Sequence, residues 1–465
     1  MKPPMTSCAA TSSTECAQPP VDPVEIEHVR SMLLNNPMSA AQWLAVAACV
    51  LLNMLDGFDI LAAAFAAPLV SREWHLAAGQ IGLFLSAGLG GMTLGALVLA
   101  PMADRLGRRR TVLVALTLMT GGLVGSGTAQ GLPFLLVSRL CTGLGVGTML
   151  PTINTIAAEV SNARHKDLAV CLQGAGFPAG GTLGGFAAYW ILGLGWRLLF
   201  LGAAGATLLL LPAILLCLPE SIEFLAERRP RNVVTRLNKV LRRYRLPSVR
   251  RLGDPAAAAP TGRLPWDRSS FEARSLMMCA SFFLMMFSFY FLTSWTPELL
   301  TSYGLSARVG ISGGILVNAG GVVGDLVFAA LSLRWPAERL GPPFMALCFV
   351  ATILIATVPL RLPLLVPLAI GLGFLLFGSI LSLYATAAKL YPVAGRTTGT
   401  GLALGLGRIG ATLGPWAGGL VIAMQWDRLS YLLLMASPLL FCAALLVVLA
   451  RVLGSASPAR ARSSV

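Results

Sequence analysis

The sequence predicts an all-α integral membrane protein with about twelve transmembrane helices in two pseudo-symmetric six-helix bundles. The chain is 56% hydrophobic and only 12% charged, apolar runs long enough to cross a bilayer recur along it, and a basic polar stretch divides these runs six and six. Soluble domains carry roughly 25% charged residues. With half that share, a chain of 465 residues has too little polar surface to face water on all sides.

The apolar runs have the length that a membrane-spanning helix requires. Such a helix takes about 20 predominantly apolar residues, whereas membrane β-strands alternate in hydropathy over about 10 residues. Backbone groups in lipid must bond within their own segment, as they do in a helix. The predicted spans lie near residues 41–69, 80–101, 111–128, 132–155, 168–190, 196–218, 273–297, 308–332, 342–360, 363–388, 397–423 and 429–452.

The net charge of +15 is a topology signal, because the basic residues avoid alternate loops. Lys and Arg concentrate in the cytoplasmic loops of membrane proteins. Both termini are therefore expected in the cytoplasm of a multi-pass protein in a bacterial-type inner membrane. This placement argues against a nucleic-acid partner, and attraction to anionic lipid is secondary. The loops that follow the odd-numbered spans, expected on the opposite side, contain only Arg72, Arg197, Arg308, Arg361 and Arg428.

The two halves of the chain repeat each other. Gly91, Gly95, Arg105 and Arg110 recur 229 positions later, as Gly320, Gly324, Arg334 and Arg339. A second set around Gly180 recurs at nearly the same offset, which indicates parallel repeats that rock around a central site. The predicted segments are a disordered cytoplasmic tail at 1–40, a six-helix bundle at 41–218, a basic cytoplasmic linker at 219–272 with a short surface helix around 232–245, a second bundle at 273–452 and a cytoplasmic tail at 453–465.

Neither a metal site nor an enzyme site is expected. The nine cysteines form no CxxC pair, so neither a disulfide framework nor a metal site is indicated. The three histidines, His28, His75 and His165, lie in predicted tails or loops. The sequence shows no set of nucleophile, base and metal ligands. No cofactor is expected, and the expected energy source is a proton gradient. A membrane sensor is disfavoured because the longest soluble stretch is the linker at 219–272.

Two acids in the first span are the candidate proton-coupling groups. Asp56 and Asp59 lie about 15 residues into the span, near mid-membrane, and their i, i+3 spacing puts them on one helix face. Charges at that depth normally face an interior cavity. Two neighbouring carboxylates in a low dielectric do not both ionise readily, so one is expected to hold a proton. The alternative is a fixed ion pair with Arg139 or Arg408.

The loop after the second span resembles a known signature. Residues 104–109 read Asp-Arg-Leu-Gly-Arg-Arg, like the signature loop of the major facilitator superfamily. The resemblance implies gating roles for Asp104, Arg105, Gly107, Arg108 and Arg109; a solvated basic turn is the alternative. Where the family usually has glycine this chain has Ala100, and Leu333 stands where the second-half loop often has aspartate.

Further motifs resemble the aromatic acid:proton symporter branch of that superfamily, which includes the 4-hydroxybenzoate and benzoate transporters. The resemblance covers about residues 40–425. It rests on Asp-Gly-Phe-Asp at 56–59, Thr-Gly-Leu-Gly-Val-Gly at 142–147, Leu-Pro-Glu-Ser at 218–221, Tyr-Phe-Leu at 290–292 and Gly-Arg-Ile-Gly at 407–410.

Four further side chains are candidates for binding a substrate. Arg408 lies near the centre of span eleven, where a guanidinium can clamp a carboxylate with two parallel bonds; the alternative is pairing with Asp56 or Asp59. Arg139 matches a family position and either lines the path or braces the first bundle. Tyr290 and Trp295 match the family pattern, and each ring carries a polar group. Their rings are expected to stack on an aromatic substrate; the alternative is packing against lipid or core.

Two residues near the cytoplasmic face, Glu159 and Arg396, are expected to act in gating. Asp325, in span eight, is a third buried acid and a secondary candidate. Together these features predict a proton-coupled importer of a small, hydroxybenzoate-like aromatic carboxylate that works by alternating access. Another organic anion, such as a muconate-like or dicarboxylic acid, or drug export remains the alternative. The expected partners are an organic anion, protons and the lipid bilayer, and the expected state is a monomer.

Overall fold

A computed structural model describes residues 26–228, 232–249, 268–302, 306–357, 362–390 and 396–455. Within these ranges every regular element is a helix. A π-helical turn at Gly95–Leu99 and a 3₁₀ turn at Ala100–Met102 prolong the third helix. The α-helices are α1 Ile26–Asn35, α2 Ala40–Trp74, α3 Ala78–Leu94, α4 Ala103–Leu106, α5 Arg108–Gly127, α6 Leu132–Glu159, α7 Lys166–Ile191, α8 Arg197–Cys217, α9 Ile222–Arg228, α10 Val233–Arg243, α11 Arg268–Ser302, α12 Ala307–Ser332, α13 Ala337–Thr357, α14 Leu362–Leu390, α15 Arg396–Ala423 and α16 Arg428–Ser455.

Ten helices in the described part of the chain are long and apolar enough to cross a membrane. They are α2, α3 with its extension, α5, α6, α8, α11, α12, α13, α14 and α16. Two of the twelve predicted spans correspond to α7 and α15, which have 26 and 28 residues but are not among the ten. Both are rich in glycine, which lowers their hydropathy and lets neighbouring helices approach closely.

The helices form two bundles that contact each other through a few helix pairs. Helix α2 packs on α7 and α8, and α6 packs on α3 and α5. In the second half, α14 packs on α12 and α13, and α11 packs on α15 and α16. Between the halves, α3 contacts α15, α7 contacts α12, and α2 contacts α11. The centre of the protein therefore lies between the helices of these three pairs.

The internal repeat has a structural cause at paired glycines. A Cβ atom at Gly91 would overlap the carbonyl oxygen of Leu140 on α6, and one at Gly320, 229 positions later, would overlap that of Ile370 on α14. The same relation holds between Gly180, which meets Met54, and Gly410, which meets Phe283. The repeated glycines therefore allow equivalent helix pairs in each half to pack backbone against backbone.

Helix α1 lies within the segment predicted as a disordered tail, so that prediction is wrong for residues 26–35. Arg30 Nη2 donates to Glu223 Oε1 on α9 at 2.7 Å. Val29, buried at 1% exposure, packs with Leu237 and Leu241 of α10. A 10-residue helix is marginal alone, so packing against the linker helices stabilises α1. Helix α10 itself lies at the predicted position.

The two bundles are closer together at one end of the protein than at the other. We call the end that carries the start of α2, the loop at 103–111 and helices α9 and α10 the linker face. Towards the opposite face, a Cβ at Gly181 would contact Asn318 across the bundles. A Cβ at Gly174, two turns nearer the linker face, would meet no atom within 4 Å, and the same is true of Gly401 on α15. The space between the bundles therefore opens towards the linker face.

Candidate functional site

Asp59 forms a buried ion pair with Arg139. Arg139 Nη1 donates to Asp59 Oδ1 at 2.6 Å and Nη2 donates to Oδ2 at 3.0 Å, with both side chains at most 3% exposed. The pair joins α2 to α6, and the ring of Phe200 on α8 lies 5.4 Å from the guanidinium carbon. Of the alternatives open for Asp59, the ion pair with Arg139 is the one observed. This bidentate pair braces three helices of the first bundle.

Asp56 lies one helical turn from Asp59 but has no such partner. It is 2% exposed, and its Oδ1 atom is buried without a hydrogen-bond partner among the described residues. Its neighbour Gly57 lies against the carbonyl oxygen of Phe177, which a Cβ atom would overlap, so α7 covers this part of α2 closely. The Arg408 guanidinium acts on Asp56 electrostatically. Asp56 is thus a buried carboxylate free to change its protonation or its partner.

Arg408 faces the centre from α15 and is partly buried. Its Nη1 atom donates to the Tyr290 hydroxyl at 3.5 Å, and Tyr384 on α14 is a further electrostatic neighbour. Its own carbonyl oxygen accepts a hydrogen bond from Thr93 Oγ1 of α3 at 3.2 Å. The guanidinium is therefore surrounded by two phenols and Asp56 instead of being held in a bidentate ion pair.

A chain of aromatic rings crosses the centre beside these charges. The rings of Phe177 and Phe377 are 6.3 Å apart, those of Phe377 and Phe289 5.0 Å, and those of Phe289 and Tyr290 5.2 Å. They connect α7 of the first bundle to α14 and α11 of the second. Of these rings, Tyr290 was expected at the site. Phe177 and Phe377, together with Tyr384, were missed because no local motif marks residues that meet only through the fold.

Trp295 is placed differently from its predicted role. Its Nε1 atom donates to the Pro415 carbonyl oxygen at 2.9 Å, and the side chain is 1% exposed. The indole N–H therefore fastens α11 to α15. A stacking role for Trp295 would require this contact to rearrange.

The signature loop is anchored to the end of α8 and the start of α9. The backbone N–H of Arg109 donates to Glu220 Oε1 at 3.2 Å, and Arg109 Nη2 donates to the Leu215 carbonyl oxygen at 2.6 Å. Gly107 has a φ angle of +99°, in the left-handed region that favours glycine. A Cβ there would lie 2.6 Å from the Glu220 carboxylate. Glycine is therefore required on both conformational and steric grounds.

The remaining gating candidates differ in their surroundings. Arg108 Nη2 lies 3.5 Å from Glu159 Oε1, an ion pair that joins the signature loop to α6. Arg105 is exposed. The side chains of Asp104 and Arg396 lie outside the described residues. In the second half Leu333 is 87% exposed, and Lys389 pairs with Glu338 at 3.0 Å.

Within the described ranges, no group of three His, Cys, Asp or Glu side chains is placed to hold a metal ion. The charged groups at the centre are instead two carboxylates and two guanidinium groups. Such a set can bind an organic anion and exchange a proton, but it offers no nucleophile and base aligned for covalent chemistry.

Comparison with known proteins identifies the family. Residues 49–404 match the Major Facilitator Superfamily. The chain belongs to this superfamily. A gallate transporter of Pseudomonas putida is 32% identical over 413 residues, covering 88% of this chain and 91% of the relative. The 4-hydroxybenzoate transporter PcaK of the same species is 31% identical, covering 86% and 90%. The benzoate transport protein of Acinetobacter baylyi is 25% identical, covering 88% and 90%.

Solved structures of the superfamily share the fold. The xylose transporter XylE from E. coli, in an inward-open conformation, superposes with a TM-score of 0.66 at 16% identity, covering 87% of this chain and 96% of XylE. A bacterial homologue of the lysosomal transporter Spinster gives a TM-score of 0.64 at 18% identity, covering 89% and 96%. Family membership confirms that the chain is a membrane transporter of the aromatic acid branch and not an enzyme.

Proposed function

We propose that this major facilitator imports a small aromatic carboxylate, of the hydroxybenzoate type, together with protons. The observation that carries the proposal is the juxtaposition of a partly buried Arg408 with an unpartnered Asp56 between the two bundles. The gallate and 4-hydroxybenzoate transporters among its relatives support an aromatic acid as the substrate class.

Arg408 is the proposed anchor for the substrate carboxylate. A guanidinium presents two parallel N–H donors to a carboxylate, and such charge-assisted bonds are the strong ones. Its present hydrogen bond to Tyr290 is long, at 3.5 Å, so a carboxylate oxygen can replace the phenol at little cost. Tyr290 and its neighbours Phe289 and Phe377 then offer ring faces and edges to the aromatic substrate, since aromatic pairs prefer offset or edge-to-face contacts. Trp295 contributes to substrate binding only if its contact to Pro415 opens.

Asp56 is the proposed proton carrier of the Asp56–Asp59 pair. A buried carboxylate that lacks a partner is costly when ionised, so it takes up a proton when Arg408 turns to the substrate anion. Asp59 takes part through Arg139, which neutralises it and leaves Asp56 as the group free to titrate. Loading of a proton and an anion together thus leaves the centre without net charge, whereas either one alone would leave an uncompensated charge between the bundles and oppose their movement.

The signature loop and its contacts form the proposed gate. Arg108, Arg109, Glu159 and Glu220 tie the loop to α6 and the end of α8 at the linker face. Gating roles for Asp104, Arg105 and Arg396 remain part of the proposal on the strength of the sequence alone. The positive-inside pattern supports a cytoplasmic position for the linker face in a bacterial-type inner membrane, and we propose that orientation. The opening towards this face is then the conformation that releases substrate to the cell. One chain supplies both halves of the site, so a monomer suffices.

Uptake of radiolabelled aromatic acids tests the proposal. Cells that express the chain are expected to accumulate at least one hydroxybenzoate-like acid saturably, and an uncoupler is expected to abolish accumulation. Cells with the empty vector are the control. Import that the uncoupler does not change would contradict proton coupling. Absence of uptake for every acid, with the protein present in the membrane, would point to another organic anion or to export.

A further inference from the structure

A third acid, Asp325, lies in the second bundle and shares the electrostatic neighbour Tyr384 with Arg408, but it has no role in the mechanism above. It is partly buried on α12, in a helix that is long and apolar enough to cross a membrane. Among the described residues it makes no hydrogen bond or ion pair. Acids in such helices are rare and normally face the bundle interior or a water-filled cavity. An acid that pairs with none of the described residues therefore indicates a transient partner, such as a bound substrate.

The packing of α12 places Asp325 on the side of the helix that faces α14. Gly321, one turn earlier on α12, lies against the ring of Phe377, and Gly324 lies against the backbone of Phe374. Residues four apart share one helix face, so Asp325 lies along the same seam, nearer the linker face. Its electrostatic neighbour there is Tyr384 on α14.

Tyr384 connects Asp325 to the anion anchor. The Tyr384 ring packs edge-on against Phe282 of α11, with centroids 5.5 Å apart, and is 38% exposed. Arg408 and Asp325 both act on Tyr384 electrostatically. Phe282 in turn lies beside Gly407, the residue before Arg408. Tyr384 is thus an exposed aromatic side chain that neighbours both Arg408 and Asp325 electrostatically.

Arg408 and Asp325 lie at different depths along their helices. Arg408 is the thirteenth residue of α15 and Asp325 the eighth from the end of α12. At 1.5 Å rise per residue, Asp325 is nearer the linker face by roughly 8 Å. A benzene ring with a carboxylate and a hydroxyl at opposite positions has a length similar to this difference in depth. A substrate that lies along the opening with its carboxylate at Arg408 would therefore carry its hydroxyl towards the depth of Asp325.

We propose that Asp325 forms a subsite for the ring hydroxyl of the substrate, which makes the protein selective for hydroxylated over unsubstituted aromatic acids. The inference rests on the proposed function, because the substrate carboxylate must lie on Arg408. The ionised Asp325 carboxylate accepts a hydrogen bond from the hydroxyl. An unsubstituted ring displaces water from Asp325 without replacing its hydrogen bond, and sites built to bind a hydroxyl reject analogues that lack it.

Competition between paired acids tests the subsite. Benzoate and 4-hydroxybenzoate differ by one ring hydroxyl, and their inhibition constants would be measured against uptake of whichever labelled acid the wild type transports. The wild type is expected to favour 4-hydroxybenzoate by about tenfold or more, the range for hydrogen bonds to charged groups. Asp325→Ala is expected to bring the two constants within about twofold by weakening 4-hydroxybenzoate alone, and Asp325→Asn is expected to fall between. Asp427→Asn makes the same chemical change as Asp325→Asn at an exposed position, where asparagine can still cap α16 through Ser430, and is the control.

The other outcomes separate the subsite from the proposed function. Equal constants in the wild type, or an unchanged ratio in Asp325→Ala, would overturn the hydroxyl subsite and leave aromatic acid transport standing. Loss of all uptake in Asp325→Ala, with the protein present in the membrane, would also overturn it and assign Asp325 to coupling or folding. If no aromatic acid is transported and none competes, both the subsite and the proposed function fail.

Discussion

Replacing Arg408 with alanine is expected to abolish uptake of the substrate acid. The guanidinium is the proposed partner of the substrate carboxylate, and loss of one member of a buried, hydrogen-bonded charge pair costs about 3 kcal/mol or more, roughly a hundredfold in affinity. Arg408→Lys is expected to recover part of the affinity, because lysine keeps the charge but not the two parallel donors. The measurement is the concentration dependence of initial uptake rates, with expression quantified in the same membranes.

Arg451→Ala is the matched control for this variant. Arg451 is an exposed arginine near the end of α16, away from the proposed site, and its loss should leave uptake near the wild-type rate. If Arg408→Ala transports with unchanged KM while the protein is present at wild-type levels, the anchor assignment is wrong. The Arg408 side chain would then serve packing, or pairing with Asp56.

Breaking the Asp59–Arg139 pair from either side is expected to destabilise the protein strongly. Removing one partner of a buried ion pair leaves an uncompensated charge, at a cost of about 3–5 kcal/mol. Asp59→Asn and Arg139→Gln should each lower the thermal midpoint of the detergent-purified protein and reduce its amount in the membrane. The double variant carries no uncompensated charge, so it should be more stable than either single variant.

This double-mutant cycle tests whether Asp59 and Arg139 stabilise the protein as an interacting pair or independently of each other. Contributions that are independent add, whereas contacting residues show a coupling energy. If the double variant is as unstable as the sum of the single variants, the pair does not brace α2 against α6. Lys389→Gln is a suitable control, because Lys389 is exposed in its ion pair with Glu338 at 3.0 Å and exposed pairs contribute little.

The repeat was predictable from the sequence because its cause is local. Glycines such as Gly91 and Gly320 are spaced by one offset since each allows the same close helix contact in its own bundle. The depth of Asp56 and Asp59 was predictable for a similar reason, because position within an apolar run sets depth in the bilayer. The arginine that pairs with each acid was not predictable from the sequence. Arg139 and Arg408 were both candidates for either acid, and only the packing of α6 against α2 selects Arg139 for Asp59.

Contacts between distant segments account for the features that the sequence did not reveal. Helix α1 is short, and its stability comes from α9 and α10, some 200 residues further along the chain. Phe177 and Phe377 meet across the two bundles without any motif to mark them. The sequence predicted a stacking role for Trp295 but not the partner of its indole N–H, because the Pro415 carbonyl oxygen that accepts the hydrogen bond lies 120 positions away.

Proton coupling through Asp56 is the central claim, and purified protein in liposomes tests it most directly. With an inward proton gradient as the sole driving force, the wild type should accumulate a labelled aromatic acid. Asp56→Asn should lose this accumulation but still exchange labelled for unlabelled acid across the membrane, since Arg408 remains. Asp427→Asn, an exposed loop variant, should behave as the wild type. Accumulation by Asp56→Asn at the wild-type level under the same gradient would contradict the account.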